Sequence, residues 1–287
     1  MLSRFSEKEF DLYRNFVKKK LGISLRPERR LFLGRKMAPR LQKLGLESYT
    51  LYYRHLQKPE GRKELQHLIN IVTIGQTGFF RGIRQFELLR DQIIPDIFQR
   101  KMMKKQIRIW SAGCSTGQEP YCLAVLMEKI APSDLSSWDI KILATDVDTN
   151  LLKIAFRGEY SEDVVSDVPP EYLLRFFSVV KRMNKKIYTV KEGPRSRLVF
   201  RKLNLVQTPY PLHGPLDLIL CRNVMIYFDA LIKKKIVDEF HRLLGENGYL
   251  CFGFSESLLG KDSRFTLIRS SVYRKKNRSP FFCKYIT

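Results

Sequence analysis

The chain has 287 residues, 44% hydrophobic and 12% aromatic, enough for two domains with real cores, and no apolar run approaches the ~18–20 residues of a membrane span. Its opening, MLSRFSEKEF, has no apolar signal region, and its five cysteines show no metal-ligand spacing, so a cytoplasmic protein with reduced core cysteines is expected. The net charge is +23, and positions 1–100 carry 21 basic against 10 acidic residues while 101–156 carry 7 against 6; such a field attracts nucleic acid, anionic lipid or an acidic protein surface, unless it is simply a solvated basic face.

The first hundred residues read as helical. Ser6 and Glu9 have the spacing of a capping box, Phe5 and Phe10 stand where a hydrophobic staple requires them, and the apolar pattern runs to Leu21 before Gly22 breaks it. Further helices are expected at about 34–44, 48–57, 61–72 and 84–100, separated by Gly45, by Pro59 to Gly61 and by the glycine-containing stretch 75–82. From about residue 106 the pattern changes. Ile107 to Trp110 is a β-type run, followed by a turn from Ser111 to Gly117 and a helix to about Ile130. A second strand at Ile140 to Ala144 ends in Asp146, and a helix near 149–156 follows it. Leu216 to Cys221 is a third strand, then a helix at 230–244, then a fourth strand at Gly248 to Phe252. Strands alternating with helices imply an α/β fold with a doubly wound, parallel sheet. Between them, 176–203 alternates in β fashion at Ile187 to Val190 and Leu198 to Phe200, which predicts a small antiparallel excursion.

In a doubly wound sheet the ligand crevice lies outside the carboxyl ends of the strands. Gly113 and Gly117 fall just after the first strand, where backbone amides can approach a ligand, although many strand-to-helix turns contain glycines. The turn matches neither phosphate-binding glycine pattern, which disfavours a nucleoside triphosphate or a dinucleotide. Glu119 opens the next helix and would suit its dipole with no ligand at all. Asp146 ends the second strand, where a carboxylate can accept hydrogen bonds from ribose hydroxyls; with Asp148 it would serve equally as a turn or a cap. Asn204 and Asn223 lie at strand ends, where an amide can read an adenine edge or simply form a turn. Tyr227 follows in the same loop and is either a crevice phenol or an ordinary half-buried tyrosine.

Taken together, these segments resemble one family. The run from Ser111 to Tyr121, Ala144 to Asp148, Asn204-Leu205 and the run from Cys221 to Asp229 are similar to the motifs of the CheR family, the chemotaxis-receptor glutamate methyltransferases. Thr77 to Arg81 resembles that family's N-terminal signature, and Gly253 to Glu256 its late one; in family order the motifs span about residues 5–275. The resemblance implies a Rossmann-like class I methyltransferase sheet. It also implies a helical receptor-docking domain at 1–83, a methyltransferase domain at 84–287 and an inserted antiparallel β-subdomain at about 157–203. The implied cofactor is S-adenosylmethionine, leaving as S-adenosylhomocysteine, and the implied partner is the cytoplasmic domain of a methyl-accepting chemotaxis receptor, with no nucleic acid and no membrane insertion. Arg81 with Thr77 would lie against the methionyl end, Glu119 would face its ammonium, Asp146 the ribose and Asn204-Leu205 the adenine. Gly113, Arg222 and Asn223 would complete the cleft, and Tyr227 would stand by the transferring methyl, with Arg81 as its catalytic companion. One position departs: where many members have asparagine two residues before the signature threonine, this chain has Gly75, as do other members.

The chemistry implied needs little acid–base help, because a glutamate carboxylate is already ionised near pH 7. Four histidines in the whole chain, none in these motifs, agree with that and argue against hydrolysis by acid–base catalysis. Two other readings stand beside this one: a nucleic-acid methyltransferase, favoured by the charge, and a non-catalytic cofactor-binding scaffold. The strand ending in Cys221 is followed by Arg-Asn-Val-Met-Ile-Tyr with no proline pair, unlike the Asn/Asp-Pro-Pro-Tyr/Phe run of nucleic-acid amino-methyltransferases.

Overall fold

A computed structural model describes residues 4–277 apart from positions 74, 133, 183, 184, 259 and 261; Cys283 therefore lies outside the described residues. The chain opens on helix α1 (Glu7–Leu21), started by the capping box its sequence predicts. The Ser6 hydroxyl accepts from the Glu9 amide at 3.3 Å, the Glu9 carboxylate accepts from the Ser6 amide at 3.0 Å, and Gly22 ends the helix in the left-handed region. Phe5 and Phe10 meet edge to face at 6.1 Å. Helix α2 (Arg29–Lys43) begins several residues earlier than expected. Gly34, where the helix was expected to begin, lies inside it: a Cβ there would lie 3.1 Å from Phe5, so the glycine lets α2 approach the staple. Helices α3 (Tyr49–Gln57) and α4 (Arg62–Val72) complete the group. The four share one core around Tyr13, Met37, Leu41, Tyr52 and Leu68.

The helix expected over 84–100 is α5 (Ile83–Leu88) and α6 (Ile94–Lys101) joined by a π-turn at Leu89–Ile93. Pro95 explains the wide turn, since it has no N–H to donate and its ring would strike the carbonyl four residues back in a regular helix. Then strands and helices alternate: β1 (Gln106–Ala112), α7 (Gln118–Ile130), β2 (Asp139–Asp146) and α8 (Thr149–Arg157). A short excursion contains β3 (Glu159–Ser161), α9 (Pro170–Phe176), β4 (Phe177–Arg182), β5 (Lys185–Val190) and α10 (Glu192–Ser196). The main sheet resumes with β6 (Leu198–Lys202), β7 (Leu216–Cys221), α11 (Ala230–Leu243), β8 (Leu244–Phe252), β9 (Phe265–Arg269) and β10 (Val272–Lys275).

The seven-stranded sheet runs β6-β2-β1-β7-β8-β10-β9, parallel from β6 to β8, with β10 antiparallel to both its neighbours. It is the doubly wound α/β sheet expected. The excursion is antiparallel as well, in the order β3-β5-β4. One strand is placed differently from the sequence reading. Leu198–Lys202 leaves the excursion and pairs parallel with β2, from Ile142 opposite Leu198 to Asp146 opposite Lys202. As an edge strand it is only half covered, and a short run such as LVFRK does not by itself distinguish parallel from antiparallel pairing. The β9–β10 hairpin was not expected, because its short, partly charged strands carry no continuous apolar run. Cores form on both faces of the sheet, one around Leu123, Ile142 and Leu218, the other around Trp110, Ile219 and Phe240. Among the described residues no helix is long and apolar enough to cross a membrane.

Candidate active site

The order of the sheet reverses between β1 and β7, and a crevice opens beyond the carboxyl ends of the strands beside that point. It is a cavity of about 950 Å³, lined from the helical region as well as from the sheet. Thr77, Arg81, Gly113, Glu119, Asp146, Asn204, Leu205, Arg222, Asn223 and Tyr227 all border it. The residues from Gly113 to Tyr227 meet at one place because parallel strands deliver their carboxyl ends to one edge, and Thr77 and Arg81 reach it from the segment before the first strand.

The turn after β1 is built from its backbone outward. The Gly113 and Cys114 amides both donate to the Thr145 carbonyl, at 2.8 and 2.9 Å, which folds the turn against the end of β2. Gly113 has φ +82°, and a Cβ there would fall 2.4 Å from Val224, so the position admits glycine alone. Asp146 is held from two sides: Oδ2 accepts from the Ser115 amide at 2.8 Å and Oδ1 from the Asp148 amide at 2.9 Å. Each oxygen keeps a further lone pair for a hydroxyl donor. Burial pushes this carboxyl group's pKa up from its ordinary value, with the Asp148 carboxylate acting in the same direction against the backbone hydrogen bonds.

Glu119 begins α7 and faces Arg222. Its Oε1 accepts from the Ser111 hydroxyl at 2.7 Å and its Oε2 from Arg222 Nη1 at 3.1 Å. The Arg222 guanidinium is buried, donates from Nε to Gln85 at 2.6 Å and from Nη2 to the Arg81 carbonyl, and lies 5.1 Å from the Phe86 ring. Arg222 is therefore committed to the protein and shapes the cleft, while Glu119 keeps acceptor capacity toward the cavity. Arg81 is exposed and anchored by one bond, Nη1 to the Gln76 carbonyl at 2.9 Å. Asn204 is engaged at both ends of its amide, donating to the Lys20 carbonyl at 2.9 Å and accepting from the Val206 amide at 3.3 Å. Its oxygen and one N–H thus serve the loop and α1, which leaves the second N–H and the adjacent backbone to face a ligand. Tyr227 ends a 3-10 turn, Met225–Tyr227, and is half-buried at the rim. Cys114 also lines the cavity, and burial pushes its thiol pKa well up, reinforced by the Asp146 and Glu119 carboxylates.

Two matches cover this architecture in tandem: the description "CheR methyltransferase, all-alpha domain" fits residues 8–73, and "CheR methyltransferase, SAM binding domain" fits residues 75–274. The chain belongs to the CheR methyltransferase family. Curated relatives agree along nearly the whole length. A chemotaxis protein methyltransferase of Borreliella burgdorferi is 32% identical over 92% of this chain and 91% of its own. One from Escherichia coli is 32% identical over 93% and 91%, and chemotaxis protein methyltransferase 1 of Pseudomonas aeruginosa is 31% identical over 93% and 98%. The chain is an S-adenosylmethionine-dependent methyltransferase.

The donor set of this CheR-family cavity fits that cofactor: one carboxylate with spare lone pairs at the end of β2, another at the start of α7, and room for a nucleoside-sized ligand. The departure at Gly75 has a steric partner. A Cβ there would fall 2.8 Å from Leu151, which itself borders the cavity, and the Gly75 carbonyl accepts from the Ser115 hydroxyl at 3.0 Å. Two residues of the site were not singled out from sequence. Glu256, buried, accepts from the Asn223, Gly253 and Ile226 amides at 2.6, 2.8 and 3.2 Å and so fixes the loop that carries Tyr227. Gln85, also buried, links Arg222 to the Phe252 carbonyl at 2.7 Å. Glu256 sits in the late motif and was visible there as a charge; Gln85 offered only a polar residue beside Phe86 on a helix.

Proposed function

We propose that this methyltransferase esterifies glutamate side chains in the cytoplasmic domain of chemotaxis-type receptors. What supports the reading is the convergence on one cavity of the ten residues assigned to the cofactor and the reaction, in a chain matched to this family from residue 8 to residue 274. Asp146 would take the ribose hydroxyls, Glu119 the methionyl ammonium, and the backbone at Asn204-Leu205 the adenine, with Thr77 and Arg81 closing the methionyl end. Bound there, S-adenosylmethionine supplies a methyl group on a cationic sulfur, which a glutamate oxygen displaces to give the methyl ester and neutral S-adenosylhomocysteine.

Because the glutamate is ionised near pH 7, no residue of the chain has to remove a proton. The work left to the protein is alignment and exclusion of water. Tyr227, on a loop pinned by Glu256, orients the reacting groups, and Arg81 draws the carboxylate to the cleft. The helical domain at 1–83 docks on acidic receptor helices through its basic surface and brings the enzyme to the receptor array. Incubation with labelled cofactor and either receptor cytoplasmic fragments or RNA tests this. Base-labile label in the receptor fragment, absent from RNA, is the expected result. Label in RNA instead, or cofactor binding without transfer to either, would overturn it.

A further inference from the structure

The helical region touches the cofactor cavity through more than its surface. Helix α4 and the residue after it meet the loop that follows β2 in a seam of polar contacts. Gln66 donates to the Val147 carbonyl at 2.9 Å, and Asn70 exchanges bonds with Thr149, donating to its hydroxyl at 3.1 Å and accepting from its amide at 3.2 Å. Thr73 Oγ1 lies 2.6 Å from Asp148 Oδ2 and 3.0 Å from the Ile69 carbonyl. A hydroxyl has one proton, and the nearer, charged acceptor takes it.

Asp148 is buried and stands between Thr73 and Asp146. Its Oδ1 caps α8, accepting from the Asn150 and Leu151 amides at 2.8 and 3.2 Å. Its own amide N–H donates to Asp146 Oδ1 at 2.9 Å. With one carboxylate oxygen fixed by α8 and the other by Thr73, the backbone N–H of Asp148 has a single direction, which sets the orientation of the Asp146 carboxylate in the cavity.

We infer that Thr73, supported by Asn70, is a positioning residue for the Asp146 carboxylate, so that the helical region helps to set cofactor affinity through Asp148. The inference rests on the reading of Asp146 as the ribose acceptor. Thr73 also borders the cavity, so the test must separate direct contact from action through Asp146.

Calorimetry with S-adenosylhomocysteine, which cannot react, makes the separation on Thr73→Val, Thr73→Ser, Asn70→Ala, Asp146→Ala and the double variant Thr73→Val/Asp146→Ala. Asp146→Ala is expected to weaken binding roughly tenfold to a hundredfold, and Thr73→Val about tenfold, each by loss of a hydrogen bond involving a charged group. Thr73→Ser keeps the hydroxyl and should stay within about twofold of wild type, and Asn70→Ala should weaken binding by about threefold, since its bonds are uncharged. In the Asp146→Ala background Thr73→Val should cost nothing further, as two residues acting through one contact are not additive. Thr73→Val should raise the KM for the cofactor and leave kcat nearly unchanged. Wild-type affinity in both Thr73→Val and Asn70→Ala would overturn the inference while leaving the ribose reading intact. A Thr73→Val loss that persists in full without Asp146 would do the same. Wild-type affinity in Asp146→Ala would remove the ribose reading and this inference with it.

Discussion

The helical region and the sheet region hold themselves together in different ways. The sheet's interior is mostly aliphatic, with Ile107, Ile109, Ile142, Leu218 and Leu220 among its fully covered side chains, and its polar backbone is satisfied by the strand ladders. The helical core adds to its aliphatic residues a set of tyrosines whose polar tips point inward. Tyr13 donates to the Tyr49 carbonyl at 2.7 Å, Tyr49 to the Gly34 carbonyl at 3.1 Å, and Tyr52 to Glu64 at 3.4 Å. Glu64 is buried and gripped by both arms of Arg40, Nε at 2.7 Å and Nη2 on its other oxygen. Apolar packing tolerates small shifts, whereas a buried hydroxyl or carboxylate that loses its partner keeps the full desolvation penalty. The elements of the helical region are therefore joined through side chains, several of them directional, whereas the strands are also tied to one another by their backbone ladders.

The sharpest way to break this comparison is at Glu64. Glu64→Gln leaves the partly covered Arg40 without its charge partner and should destabilise the helical region by on the order of 2–3 kcal/mol. The Arg40 hydrogen bonds hold the Glu64 carboxyl below its ordinary pKa, against the opposing effect of burial. A depressed folded pKa gives stability that is present above the unfolded value and lost as pH falls through the folded one. The gap between wild type and variant should thus be full near neutrality and close in acid. Hydrogen exchange resolved by segment checks it: protection should fall in α2 to α4 and persist in β1, β2 and β7.

Tyr227→Phe probes the opposite region, where a loop is pinned by Glu256 and by Met225 in the core beneath it. Cofactor affinity should stay near wild type while single-turnover methylation of a receptor fragment falls by about 10²-fold, the scale of a small misalignment. An unchanged rate would make the residue structural only.

The smallest effect concerns charge. Reversing the exposed Lys18 and Lys19 should slow association with a receptor fragment a few-fold and flatten its salt dependence. Arg30 belongs to the same basic stretch but is partly covered and lies 3.3 Å from Glu7, so its reversal should change association less. Equal salt slopes for wild type and the double reversal would count against docking through this face.

What the sequence made legible follows the range of the interactions involved. Leu216 to Cys221 could be read as a strand because both its faces are buried and its run is apolar apart from Asp217. Asp146 and Asn223 could be singled out because polar residues at strand ends mark the crevice wherever the strands alternate with helices. The start of α2 was hidden by Gly34, whose reason is a phenylalanine 29 positions earlier. The edge strand β6 was hidden because half-covered parallel and antiparallel strands share one pattern. The bracing residues were hidden by distance along the chain: Gln85 and Arg222 are 137 positions apart, Thr73 and Asp148 75, Glu256 and Asn223 33. No local pattern reports a bond of that span.

The thiol in the cavity wall has a consequence for reactivity. Oxidants and alkylating reagents attack thiolates, and Cys114 is kept from becoming one by burial and by two neighbouring carboxylates. Peroxide or iodoacetamide should therefore leave Cys114 unmarked while the turn after β1 stays folded. Modification at Cys114 then becomes a clock for the turn after β1, advancing only while that turn is lifted from the end of β2 and stopping whenever a ligand holds it down.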